Sequence, residues 1–321
     1  MAAFSESLDA WTAAQITGLN PDWQTAGVLE LDWSGPEPAS VADLGEVSPL
    51  MLTHANWFDS LSHCNYEWVL PRSYRVIGSL PVLCTEPAQS YSIGWRLGEQ
   101  LALQRRWDRG ERTPWSDPRE LSITGADVDR MTSEPAEPRP DIRHLRVTEV
   151  ESLDCQRLAE RFTELRTLSL SGDLGLLVHA SALNRLASLR QLWITDLFGM
   201  SAADALLPER VPALELLYLC SIPHEYAVAM RSRWRPQVAY GTYVDITAAR
   251  RPEWIAENRG NPLRHCFNLL DRRTEFIETM EREELFAALD VMVSQAEAAL
   301  GVRLESVADM LAAGVDAVRD W

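Results

Sequence analysis

The chain has 321 residues, 46% of them hydrophobic, enough for one elongated domain or two globular ones. Its formal net charge of −17 opposes nonspecific attraction to nucleic-acid phosphates and to anionic membranes. All 30 basic side chains are arginine, which excludes a Schiff-base lysine and a phosphate-binding loop with its lysine. The five cysteines, Cys64, Cys84, Cys155, Cys220 and Cys266, form no C-x-x-C pair and no zinc-ligand spacing, and fit reduced thiols. Met1 to Trp11 carries Glu6 and Asp9 and lacks the basic-then-apolar order of a signal peptide. No apolar run approaches the ~20 residues of a membrane helix. A cytoplasmic protein with no membrane partner is expected.

A template L-x-x-L-x-L, apolar at its first, fourth and sixth places, recurs along the chain. Ala26, Leu29 and Leu31 fit it first, then Val47, Leu50 and Leu52, with a further copy through Arg75 and Ile77. These matches predict irregular repeats beginning near residue 20. The alternative for residues 1–117 is a separate α+β cap domain rich in tryptophan, with Trp11, Trp23, Trp33, Trp57, Trp68, Trp95, Trp107 and Trp115. Ile93 to Trp107 reads as a helix.

From residue 118 the pattern is regular. A looser copy at Pro118, Leu121 and Ile123 is followed by Ile142, Leu145 and Val147, then Leu165, Leu168 and Leu170. Leu189, Leu192 and Ile194 come next, then Leu214, Leu217 and Leu219. The last four starts are 23, 24 and 25 residues apart, a period that marks a repeat architecture. Arg235, Val238 and Tyr240 read as a degraded terminal copy. In a strand the fourth and sixth residues share one face and their neighbours the other. The leucines should therefore enter a core while the x residues line an open parallel sheet. Helical returns are expected at 154–161, 176–186 and 202–207. The segment TSEPAEPRP, Thr132 to Pro140, reads as a loop in place of one such helix.

Residues 118–245 resemble the leucine-rich repeat family. The resemblance implies an α/β leucine-rich repeat solenoid with a concave parallel sheet and convex helices. The family's usual Asn or Cys at the ninth place is missing: Val150, Asp173, Leu197 and Ile222 stand there, so loop pairing must be handled differently. In the tail, Thr274 to Leu300 and Ser306 to Val318 have apolar residues at helical spacing. Residues 246–321 should form a C-terminal helical cap over core leucines at the open end. The segments WIAENRGNPLRH and FIETMEREELFAAL look similar to tails of leucine-rich repeat proteins from high-GC bacteria.

Catalytic motifs are absent. There is no glycine-rich nucleotide loop, no G-x-S-x-G and no H-E-x-x-H, His224-Glu225 lacking the second histidine. His63-Cys64, with His54 nearby, reads as a chance neighbour pair, Asp127 and Asp129 as a solvated loop, and the glutamates of 275–284 as a solvated helix face. No cofactor and no metal site is expected. The x positions are more informative. Arg146, Ser169, Trp193 and Tyr218 should form one row across the sheet, with His144, Thr167 and Gln191 beside it. Trp, Tyr and Arg are the residues enriched at interface hot spots. The expected function is a non-enzymatic scaffold: Arg146, Trp193 and Tyr218 anchor a protein or peptide partner, and His144, Thr167, Ser169 and Gln191 contribute polar contacts. The competing expectation for that face is an internal cover by the N-terminal segment or the tail. The competing functional class is an enzyme, or an accessory subunit of a modifying enzyme, with its site in residues 1–117 and the repeats as a substrate-docking arm.

Overall fold

The chain begins as a meander of antiparallel strands. A computed structural model describes residues 1–55, 57, 59–112, 117–133 and 137–249. β1 (Ala2–Ser5), β2 (Ala10–Asn20) and β3 (Thr25–Gly35) are followed by the short pair β4 (Met51–Leu52) and β5 (Ser60–Leu61), then β6 (His63–Glu67) and β7 (Ser90–Tyr91). Five of these form a sheet in the order β1-β2-β3-β6-β7, antiparallel except for the β6–β7 pair. The β2–β3 turn has a local cause: Asn20 Oδ1 accepts from the amides of Asp22 (3.1 Å) and Trp23 (3.2 Å), an Asx turn, and Gln24 adopts φ 51°. Ala2, Ala3, Ala13, Ala14 and Ala26 are buried. Ala3, Ala14 and Ala26 pack with Tyr66 and Trp95, whose rings stack with centroids 5.3 Å apart.

After α1 (Glu99–Asp108) the topology changes. β8 (Glu120–Thr124), α2 (Gly125–Ser133), β9 (His144–Thr148), β10 (Ser152–Asp154), α3 (Cys155–Arg161), β11 (Thr167–Val178), β12 (Gln191–Phe198), β13 (Leu216–Ile222), α4 (His224–Trp234) and β14 (Tyr243–Ala248) complete the described elements apart from 3-10 turns. Seven strands make a parallel sheet in the order β14-β13-β12-β11-β9-β8, with β10 also on β11. The central strands β9, β11, β12 and β13 are each started by a shared carbonyl: Arg143 O accepts from the amides of Arg166 and Thr167, and Arg166 O from those of Arg190 and Gln191. Leu145, Leu168, Leu192 and Leu217, with Val147, Leu170, Ile194 and Leu219, are essentially fully buried in one core. At ~1.5–3 kcal/mol per buried aliphatic side chain, this stack supplies much of the drive to fold. Met1–Glu253 forms one compact unit containing both sheets.

The missing Asn at the ninth place is compensated in the backbone. Glu149, Asp196 and Ser221, each at the eighth place, take φ of 54°, 54° and 57°, turning the chain so that Val150, Leu197 and Ile222 enter the core. In the second copy the positive φ falls on Leu174 (58°), and Gly172 and Gly175 on either side let the chain pass close to Val150 O. A Cβ on Gly175 would lie 1.9 Å from Val150 O, a backbone atom that cannot step aside alone. Gly175→Ala is therefore expected to cost about 3 kcal/mol, at the upper end of overpacking, read as a lower midpoint in urea with unchanged slope. An unchanged midpoint would show that the β10–β11 pairing yields freely.

The expected fold class, a leucine-rich repeat solenoid with a concave parallel sheet and convex helices, is overturned. The molecule has mixed α/β character, with a five-stranded mixed sheet beside the seven-stranded parallel one and few helices. The expected helix at 176–186 is strand to Val178 and then a 3-10 turn, Ala180–Arg185; the one at 202–207 is a 3-10 turn, Ala202–Asp204. Ala180 and Leu183, one three-residue turn of the former 3-10 helix apart, are both buried. The irregular repeats expected before residue 118 are also replaced. Ala26, Leu29 and Leu31 lie in the hairpin strand β3, and Leu52 pairs antiparallel with Ser60. The terminal copy is displaced: 235–240 is a 3-10 turn started by Pro236, and the pairing strand is β14. Asp127 and Asp129 lie on α2, not in a loop, Asp127 accepting from Thr124 N and Oγ1. The expected helices 274–300 and 306–318, and with them the C-terminal cap, lie outside the described residues.

Candidate functional site

The parallel register brings Arg146 beside Ser169, Ser169 beside Trp193, Trp193 beside Tyr218 and Tyr218 beside Asp245. Strand alternation turns these five side chains away from the leucine core. The Trp193 and Tyr218 rings lie 5.0 Å apart at a tilt of 40°. Both are half-buried, Arg146 is exposed, and Asp245 is half-buried with its pKa raised by burial. The row thus runs from a cation through two aromatic rings to a carboxyl group.

One flank of the row is occupied by the protein itself. A Cβ on Gly94 would lie 3.1 Å from Leu216 Cδ1 and 3.7 Å from Trp193 Cζ2, so the 92–98 loop of the N-terminal half rests against the strand starts. His144, Thr167 and Gln191 belong to this flank. His144 Nδ1 is 3.1 Å from Thr167 Oγ1 and its Nε2 is 3.8 Å from Glu6. Two of the expected polar contacts are therefore engaged within the chain. Tyr91, at the edge of the mixed sheet and 53% exposed, meets Tyr243 on β14 and adds a further ring to the rim.

Two sets of interactions hold the mixed sheet there. Glu6, in the β1–β2 turn, pairs with Arg166 and lies 3.6 Å from Arg119 and 3.7 Å from Arg143. Burial alone would raise its pKa, but the hydrogen bond from Arg166 and the positive charge of Arg166 and of the His144 ring nearby outweigh that and hold it at about 2. On the other side Ser73 N donates to Glu215 Oε1 (2.7 Å), and Arg72 donates to Pro212 O and Thr242 Oγ1. The loop is braced from behind by buried carboxyl groups. Glu67 accepts from Gly94 N at 3.1 and 3.2 Å, and Glu30 accepts from Gly98 N and Ser62 Oγ, both at 2.8 Å.

Arg119, Arg143, Arg166 and Arg190 all occupy the second template place, with Glu215 in the next copy. That recurrence is readable in the sequence, and Arg119, Arg143 and Arg166 of it form the ladder that Glu6 meets. Asp245 was missed because the terminal copy was placed at 235–240. His54, His63 and Cys64 do not converge. His54 is buried against Gln104 (Nδ1 to Oε1, 3.0 Å), and Cys64 turns to the Tyr66 and Trp95 side of the sheet. Among the described residues no helix is long and apolar enough to cross a membrane. No protein-family model matches the chain, and no curated protein or solved structure matches it either.

Proposed function

We propose that the chain is a binding protein that receives an extended peptide on the row of its parallel sheet that runs from Arg146 to Asp245. The observation that supports this reading is the Trp193–Tyr218 pair, half-exposed on a rigid row with Arg146 at one end and Asp245 at the other. Four strand spacings separate the ends, about 19 Å, the length of about six extended residues. A peptide with an acidic side chain toward Arg146, an apolar or aromatic centre and a basic side chain toward Asp245 fits that pattern. Because sheet residues are held by their neighbours, little ordering cost opposes association.

The test is selection of displayed peptides on the wild-type chain, followed by affinity measurement on variants. Trp193→Ala should weaken selected peptides by about 2 kcal/mol, close to 30-fold, with the circular dichroism spectrum unchanged. Peptides whose binding ignores Trp193 and Tyr218 would remove the reading. So would unfolding of the variant, since Trp193 would then belong to the join with the 92–98 loop.

A further inference from the structure

A second arrangement lies in the mixed sheet, independent of the peptide row. His63 and Asn65 on β6 face away from Cys64 and Tyr66. There His63 Nε2 is 2.8 Å from Thr17 Oγ1 on β2, and His63 Nδ1 is 4.0 Å from Cys84 Sγ in the loop before β7. The hydrogen bonds set the tautomer. Thr17 Oγ1 donates its hydrogen to Gly27 O (3.2 Å), so toward His63 it is left as an acceptor. His63 must then carry its proton on Nε2, which leaves the Nδ1 lone pair directed to the thiol. Close approach is permitted by Gly27, where a Cβ would stand 2.9 Å from Thr17 Oγ1. Burial lowers the His63 pKa and so favours its neutral, basic form. The thiol has a second acceptor, Glu86 O at 3.7 Å.

Cys84 and Thr17 line a cavity of about 760 Å³, walled by Leu19, Trp23, Pro87 and Tyr91 among others. Trp23 is 79% and Leu19 62% exposed at the mouth, an apolar surface at the hairpin tip. A nucleophile on the wall of a cavity of mixed polar and apolar lining, a base behind it and a group orienting the base are the parts of covalent acyl transfer.

We propose that Cys84 is a nucleophile activated by His63, with Thr17 as its positioning residue, and that the cavity takes a small ester or thioester with an apolar or aromatic body. His63 Nδ1 accepts the thiol proton as Sγ attacks the acyl carbon. The bond from that carbon to the alcohol or thiol breaks, and the leaving group departs with the proton from Nδ1. One water then attacks the acyl-thioester: its proton passes to Nδ1, its hydroxyl stays on the released acid, and the proton returns to Sγ.

The probe is 4-nitrophenyl acetate, with nitrophenolate release followed by absorbance and the acetylated cysteine located by mass spectrometry of the intact-fold protein. Acetylation should fall first on Cys84, and His63→Ala should slow it about 100-fold. Thr17→Val, which keeps thiol and imidazole, should shift the pH profile of alkylation by iodoacetamide. In the wild type that profile should follow the imidazole, losing rate only as pH falls below the ~6.5 of a free histidine, because protonated His63 accepts no proton. Acetylation of Cys84 no faster than of Cys64 or Cys220 overturns the proposal, as does a rate insensitive to His63. If His63→Ala fails to fold, the wild-type profile decides: a rate that already falls at the ~8.5 of a free thiol overturns the proposal, and one that holds down to the imidazole range supports it.

Discussion

Glu6→Ala should lower the stability of the Met1–Glu253 unit by about 3 kcal/mol and its Tm by about 10 °C. The side chain is 18% exposed, and four cationic or protonatable groups converge on it: Arg119, Arg143, Arg166 and His144. Removing the carboxylate leaves these groups facing one another across a partly buried join, and the penalty is their mutual repulsion as well as the lost attraction. Arg119 retains Asp117, with bonds of 2.9 and 2.7 Å, so the cost stays at the low end for a buried cluster. The exposed Glu46, changed to alanine, serves as the control and should leave Tm within about 2 °C. Thermal unfolding followed by circular dichroism measures both. A loss below about 1 kcal/mol at Glu6 would mean that Arg72 and Ser73 hold the mixed sheet in place by themselves.

The second large effect is on pH dependence. Burial pushes Glu30 and Glu67 up to about 7 from an ordinary 4.5, against the smaller opposing pull of their hydrogen bonds to Gly98, Ser62 and Gly94. A carboxyl group that holds its proton more tightly when folded contributes stability below the unfolded pKa. That contribution declines above about 4.5 and is lost once pH has risen through about 7. Each shift corresponds to about 3 kcal/mol between those limits. Glu6 acts in the opposite direction: its depressed pKa contributes stability above 4.5 that disappears as pH falls toward about 2. Stability should therefore peak at about pH 5 and decline on both sides. Urea unfolding at pH 5 and pH 8 measures the alkaline limb. Glu30→Gln and Glu67→Gln should each flatten it, because a neutral amide keeps an acceptor for Gly98 N or Gly94 N. Equal stability at pH 5 and 8 in the wild type would show that water reaches both carboxyl groups.

These two effects meet in the 92–98 loop. Glu67 and Glu30 hold its glycine amides from one side, and Trp193 and Leu216 meet its outer surface. Ionisation of the carboxyl groups loosens the element that flanks the proposed peptide row, so peptide affinity and stability should vary together above pH 5.

The sequence by itself determined the part of the molecule whose information is local and repeated. A 23–25-residue spacing with leucine at three fixed places specifies strands, their order and their register, because a slip of one residue would expose every leucine. For that reason the neighbours of Trp193 were legible: Ser169 and Tyr218 stand beside it as the spacing required. Asp154, which caps α3 by accepting from Gln156 N and Arg157 N, sits where the expected helix began. Tertiary structure alone decided the rest. The triplet of Ala26, Leu29 and Leu31 suits a strand of either direction, since alternation carries no sign; pairing with β2 and β6 made it antiparallel. An Asn-Pro-Asp turn signal at residues 20–22 stood in the sequence, but it specifies a reversal and not what the hairpin will lie against. Glu6 meets Arg166, and Thr17 and Cys84 meet His63, across long stretches of chain. No periodicity links such residues: Glu6 reaches Arg166 through the packing of the two sheets, and Thr17, His63 and Cys84 meet through antiparallel pairing and a loop within the mixed sheet.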